Sequence, residues 1–165
     1  MKLEDAVIQR LHEVYAKASE TWPNVAFPFP RIRWDLKGGS AGSAYYLANL
    51  IRFNRTLMVE NGTDFVNDTP GHEASHLIAW RIYGTLIRPH GAEWQHVMRT
   101  IGQTPERCHK FSVTTGRYKY ICKCREHYLS TRNHNAILRG MRRACIHCGS
   151  IVSWAKLVDN TVAAW

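Results

Sequence analysis

The chain has 165 residues, 45% of them hydrophobic, which suits one ordinary domain with a small appendage and excludes a disordered or fibrous protein. Charges run through the first twenty residues and no apolar run approaches the length of a bilayer span, so neither an export signal nor a membrane helix is expected, and the protein is expected to be cytoplasmic. The formal charge of +9 is placed unevenly: residues 1–98 hold ten Lys/Arg and ten Asp/Glu, while residues 99–165 hold twelve and three. A basic C-terminal part of this kind points to a polyanion, most often nucleic acid, bound through phosphate neutralisation and counterion release.

Taken in chain order, Leu3, Val7, Leu11, Val14, Ala18 and Trp22 recur at threes and fours and predict an amphipathic helix over residues 3–20. Pro23, Pro28 and Pro30 break the chain, and RIRWDL (31–36) alternates as a half-buried strand. The glycine- and serine-rich KGGSAGSA (37–44) predicts a turn into a second strand near 44–47, and LIRFN (50–54) a third, the three forming a short antiparallel meander. Residues 56–61 can make a helical turn, and a longer helix is expected from about 63 to 83. That helix either begins just before Pro70 or is kinked there, and Gly84 ends it. Residues 92–101 read as another helix, closed by Gly102. From Phe111 onward short strands and turns surround the cysteine pairs, which divides the chain into residues 1–110 and a smaller module at 111–165.

The stretch TPGHEASH (69–76) carries chemistry. Residues four apart on a helix point the same way, so His72 and His76 can present two imidazoles to one Zn²⁺, while Glu73 is rotated by about 100° and can reach a water there. Such a water has a lowered pKa, and the glutamate can take its proton and later pass it to a leaving group. A catalytic site of this type uses a third protein ligand. His90, in the Pro- and Gly-bounded turn RPHG fourteen residues after His76, is the favoured candidate, with His96, Glu93 and Glu60 as competitors.

Five cysteines in a chain without an export signal argue for metal ligation rather than disulfides. Cys122-x-Cys124, twenty intervening residues and Cys145-x-x-Cys148-Gly149 approximate a zinc ribbon holding one structural Zn²⁺. The second pair brackets a turn in which Gly149 lets backbone N–H groups face sulfur. The first pair is unusual, because side chains two apart on an extended strand diverge, and His127 is a possible substitute ligand. Cys108, left over, is expected to be a buried thiol. Around the cysteines sit Lys119, Lys123, Arg125, Arg132, Arg139, Arg142 and Arg143, interleaved with Tyr118, Tyr120, Tyr128, His127 and His134. Cations for phosphates beside rings for unpaired bases suit single-stranded or junction-containing DNA, although some of these rings are expected to form the module's own small core.

The series LIRFN, HEASH, HLIAWRIYG, RPHGAEWQ, YICKCREH, TRNHN and CIHCG, in this order, resembles the SprT family, bacterial relatives of the Spartan DNA–protein crosslink protease, over roughly residues 31–149. The resemblance implies an α+β fold: a small zincin-like metallopeptidase domain (N-terminal helix, short antiparallel sheet, HExxH helix) followed by the zinc-ribbon-like module. It implies that His72, His76 and His90 bind a catalytic zinc, that Glu73 is catalytic, and that the role lies in DNA–protein crosslink repair. Gly71 stands where the family usually has proline, with Pro70 one position earlier, and the small Ala74-Ser75 pair replaces a larger, more apolar one; neither change removes a ligand or the base.

The expected function is therefore a zinc endopeptidase acting, as a monomer, on proteins bound or crosslinked to DNA. The alternative is a non-catalytic zinc-containing nucleic-acid-binding protein, and Glu73 separates the two, because a purely structural site has no use for a base beside its first ligand. A peptidase acting on free protein is opposed mainly by the charge distribution. An exposed edge strand at LIRFN beside the metal would let a peptide bind as an added strand.

Overall fold

The threes-and-fours pattern near the N-terminus folds as α1 (Leu3–Thr21) in the computed structural model of the chain, with Val7, Leu11, Val14 and Ala18 all buried. The structure describes residues 2–107, 111 and 118–157, which fall into two compact units, Met1–Ser112 and Val113–Trp165. Cys108 lies outside the described residues. Among the described residues the architecture is α+β, with four helices and two three-stranded sheets.

In the first unit the sheet is built from β1 (Arg31–Arg33), β2 (Gly42–Tyr45) and β3 (Leu50–Phe53). Its order is β1-β3-β2, with β1 parallel to β3 and β2 antiparallel to it. This corrects the antiparallel meander expected from sequence. Ile51 and Phe53 are fully buried, so β3 takes the centre, while β1, with Arg31 and Arg33 exposed, takes an edge where unpaired backbone groups stay solvated. LIRFN is therefore not an edge strand; β2 is, and it begins inside the glycine-rich stretch that was expected to be a turn.

Asn54, expected to end the third strand, is instead the N-cap of α2 (Arg55–Tyr83). Its side-chain oxygen accepts from the N–H groups of Thr56 (3.1 Å) and Leu57 (3.3 Å), and its amide donates to the carbonyls of Gly38 (2.9 Å) and Ser40 (3.2 Å). One buried side chain thus starts the helix and pins the glycine-rich loop to it. The two expected helical segments merge into α2 across a kink at Gly62 (φ 50°, ψ −119°), a conformation open to glycine, and the backbone stays helical through Pro70. Gln103 reaches back to this stretch and donates to the Asn67 carbonyl. Gly84 (φ 81°) ends α2, its N–H bonded to the Trp80 carbonyl at 2.9 Å.

α3 (Ala92–Thr100) stops one residue before the expected end, and it packs, like α1, on α2. Phe53, Leu57, Met58, Phe65, Ile78, Trp94 and Met98 are all at most 1% exposed and form the core around α2. Each such side chain contributes roughly 1.5–3 kcal/mol by leaving water, which holds α2 in place.

The second unit carries β4 (Tyr118–Ile121), β5 (Glu126–Leu129), α4 (Thr131–Leu138) and β6 (Ser153–Leu157). The strands pair antiparallel in the order β5-β4-β6. α4 was not expected among short strands and turns; Ser130 caps it by accepting from the Asn133 N–H, and it is short and fully buries no residue.

Candidate active site

One helix and a turn assemble the histidine cluster. His72 and His76 project from consecutive turns of α2, and His90 is the third residue of a tight turn closed by the Gly91 N–H to Arg88 carbonyl bond (2.9 Å). Pro89 presets the second position, and His90 takes a left-handed φ of 61°, an unfavourable conformation for a non-glycine residue and one that tends to be kept at functional sites. The ligand atoms of the three histidines lie within 4.8 Å of one another, and His72 Nε2 is 3.0 Å from His90 Nε2.

Trp94, 1% exposed, backs all three rings at centroid distances of 4.8, 5.5 and 4.7 Å, and its Nε1–H donates to the His72 carbonyl at 3.3 Å. Its role as a common wall was not legible from sequence, although it lies four residues past His90 on the first turn of α3. Of the competing ligands, His96 meets Trp22 edge-on at 6.2 Å and Glu60 is exposed; the cluster contains neither, nor Glu93.

The donor set fits a small divalent cation. Nitrogen ligands about 2.1 Å from a tetrahedral ion sit roughly 3.4 Å apart, against 3.0 Å between His72 and His90 and an upper bound of 4.8 Å for the set. Burial first, and the neighbouring His72 and His90 second, push the His76 pKa down to about 3, so its imidazole is neutral with a lone pair to offer. Burial and then the Arg107 charge also lower His90.

Glu73 is 7% exposed and sits between the cluster and β2. A Cβ at Gly42 would lie 2.5 Å from Glu73 Cγ, so only glycine lets the carboxylate occupy this place. Burial pushes the Glu73 carboxyl up to about 8, with the Asp68 charge adding and a hydrogen bond from the Ala44 backbone opposing. A cation at the histidines acts in the same sense as that hydrogen bond, favouring the carboxylate. The cleft has a volume of about 560 Å³ and is lined by β2, by the three histidines and Glu73, and by Tyr46 and Arg107. Gly42 and Ala44 are functional candidates that sequence reasoning missed, because they reach Glu73 only through folding.

In the second unit the sulfurs of Cys122, Cys124, Cys145 and Cys148 converge. Their separations are 3.5 Å (122–124), 3.7 Å (124–145) and 3.8 Å (122–148). Thiolates about 2.3 Å from one tetrahedral ion lie roughly 3.8 Å apart, whereas a disulfide requires about 2.05 Å, so the set fits a metal. The divergence expected of Cys122 and Cys124 does not arise, because both lie in the β4–β5 turn, tied by the Cys122 N–H to the Arg125 carbonyl (3.0 Å). His127 Nε2 stands 3.2 Å from Cys122 Sγ, outside the group of four. At the other knuckle Gly149 has φ 68° and the His147 N–H faces Cys145 Sγ at 3.4 Å. The Ser150 hydroxyl, then its backbone, bring the Cys148 thiol down to about 6.

Lys123, Arg125, Arg132, Arg139, Arg142 and Arg143 are exposed, whereas Lys119 is ion-paired with Glu126 across the hairpin. One of the rings is core and the others are engaged within the module. Tyr120 is 1% exposed with its hydroxyl 3.0 Å from His134 Nδ1, Tyr118 stacks on His134 at 3.7 Å, and the Tyr128 hydroxyl donates to Glu126. Trp154, 49% exposed and 4.8 Å from the His134 ring, is among the described residues the large aromatic side chain of this module most open to solvent, and sequence reasoning passed over it.

The family model of the SprT-like family matches residues 6–117. Protein SprT of Pseudomonas paraeruginosa is 41% identical over 146 residues, covering 84% of this chain and 88% of that protein. Protein SprT of Escherichia coli O157:H7 is 36% identical over 152 residues, covering 89% and 91%. No solved structure matches the chain. The chain belongs to the SprT-like family.

Proposed function

We propose that this SprT-like chain is a zinc-dependent endopeptidase that cleaves proteins bound or crosslinked to DNA, acting as a cytoplasmic monomer whose basic cysteine module docks nucleic acid. What supports the peptidase is the convergence of His72, His76 and His90 beside the buried Glu73 on an open cleft. Zn²⁺ held by these three imidazoles would supply a Lewis acid and lower the pKa of a water. Glu73 takes the proton of the attacking water on a carboxylate oxygen. The water oxygen bonds to the carbonyl carbon, the C–N bond breaks with its electron pair going to nitrogen, and the proton from Glu73 ends on that nitrogen. β2, an edge strand with small residues beside the cleft, offers its free side to an extended peptide. A second Zn²⁺ on the four cysteines would close its coordination shell and staple a unit with little core of its own.

The DNA part rests on the exposed cations of the second unit and on Trp154, a ring placed to stack on an unpaired base. The test uses lysozyme crosslinked by formaldehyde to a single-stranded oligonucleotide, beside free lysozyme, each with the zinc-loaded chain and with a chelator. Fragments should form from the crosslinked protein only, and only without chelator. Equal cleavage of free lysozyme would remove DNA from the account, and no cleavage in any arm would favour a non-catalytic nucleic-acid-binding protein.

A further inference from the structure

The turn between β2 and β3 brings a further side chain into the cleft. Tyr46 directly follows β2, and its carbonyl accepts from the Asn49 N–H at 3.1 Å, closing a turn in which Asn49 has a φ of 42°. Its ring lies nearly parallel to Trp80, at 19° with centroids 6.1 Å apart, and Trp80 sits on α2 one turn beyond His76. Backbone and ring are thus both fixed. The side chain is half-buried and lines the same cleft as Glu73 and the three histidines. Among the described residues no side-chain hydrogen bond engages its hydroxyl.

A hydrogen-bond donor in this cleft can assist peptide hydrolysis beside a Lewis acid. When water adds to the carbonyl carbon, an electron pair moves onto the carbonyl oxygen, and a positioned donor stabilises that charge. An ionised Glu73 is acceptor-only and cannot serve. Arg107 also lines the cleft, but it is exposed on a long flexible stem, so it must be ordered before it can donate. The Tyr46 ring already packs beside Trp80. Burial first, and the Glu73 charge second, raise the pKa of its phenol, so the oxygen keeps its proton at neutral pH.

We propose that Tyr46 is a catalytic residue that donates its O–H to the carbonyl oxygen of the scissile peptide as negative charge builds there. The phenol keeps its proton throughout, and no bond to it forms or breaks. This rests on the peptidase reading of the same cleft.

The experiment compares the zinc-loaded wild type, Tyr46→Phe and Glu73→Gln on lysozyme crosslinked to a single-stranded oligonucleotide, with kcat, KM, zinc content and thermal midpoint measured for each. Phenylalanine keeps the ring against Trp80 and removes only the donor. In Tyr46→Phe kcat should fall on the order of 10²-fold, with KM within about twofold, the pattern of an interaction made only in the transition state. Zinc content and thermal midpoint should not move. A kcat within about threefold of wild type overturns the proposal, as does a rise in KM alone, which would make Tyr46 a wall of the substrate site. A kcat loss accompanied by loss of zinc or of stability overturns it too, by assigning a structural role. If Glu73→Gln is inactive while Tyr46→Phe is fully active, only this proposal fails; if wild type is inactive or Glu73→Gln is fully active, the peptidase reading fails and takes the proposal with it.

Discussion

A methyl group at Gly42 would stand 2.5 Å from Glu73 Cγ and 2.8 Å from its Cδ, atoms near the root of the carboxylate rather than at the end of a flexible chain. Gly42→Ala should therefore push Glu73 off its position beside the histidines while leaving those histidines, which belong to α2 and to the turn before α3, where they are. The expected result is unchanged zinc content with cleavage lowered by about 10²-fold, the scale on which small displacements of a reacting group act. Unchanged activity in Gly42→Ala would show that Glu73 does not work from the place it occupies. At this scale His72, Glu73 and His76 were legible because helical spacing alone puts them together, and His90 because Pro and Gly bracket a turn. Gly42, Ala44, Tyr46 and Trp94 were not, since their contacts with the site join segments far apart in the chain.

Among the elements, α2 depends most on its first cap. Asn54 is 1% exposed and uses both ends of its amide, accepting from two helix N–H groups and donating to two loop carbonyls. Asn54→Ala removes the cap and the two bonds that tie the exposed glycine-rich loop to it, so the first unit should lose about 1–2 kcal/mol. Thermal unfolding measures this, as a drop in midpoint of several degrees. A midpoint within a degree or so of wild type would mean the loop and helix start are held by other contacts. The helices were largely readable, because hydrophobic period and glycine stops are local signals. The sheet was not, since strand order depends on which strand has the most to bury, and Ile51 and Phe53 draw β3 to the centre past β2. The kink fell at Gly62 rather than Pro70 for a related reason: glycine reaches the required φ freely, while the packed surroundings of Pro70 keep its backbone helical.

For the whole molecule, the proposed hydrolytic centre lies in one unit and the proposed metal-stapled, basic surface in the other. Charge distribution made that division legible, but it could not say which cations are free; the fold pairs Lys119 with Glu126 and leaves Arg142 and Arg143 exposed. Replacing both arginines by glutamate should weaken binding to a single-stranded oligonucleotide and flatten its dependence on salt, by about 0.7 in the log–log slope for each phosphate no longer neutralised. An unchanged slope would move the nucleic-acid surface elsewhere. Glu73 is tested by the cleavage of oligonucleotide-crosslinked lysozyme by Glu73→Gln, with zinc determined on the same sample. The expected result is about two zinc ions per chain, as in the wild type, an unchanged fold, and cleavage reduced on the order of 10²–10⁴-fold. Wild-type cleavage by the zinc-loaded, folded Glu73→Gln protein would contradict it.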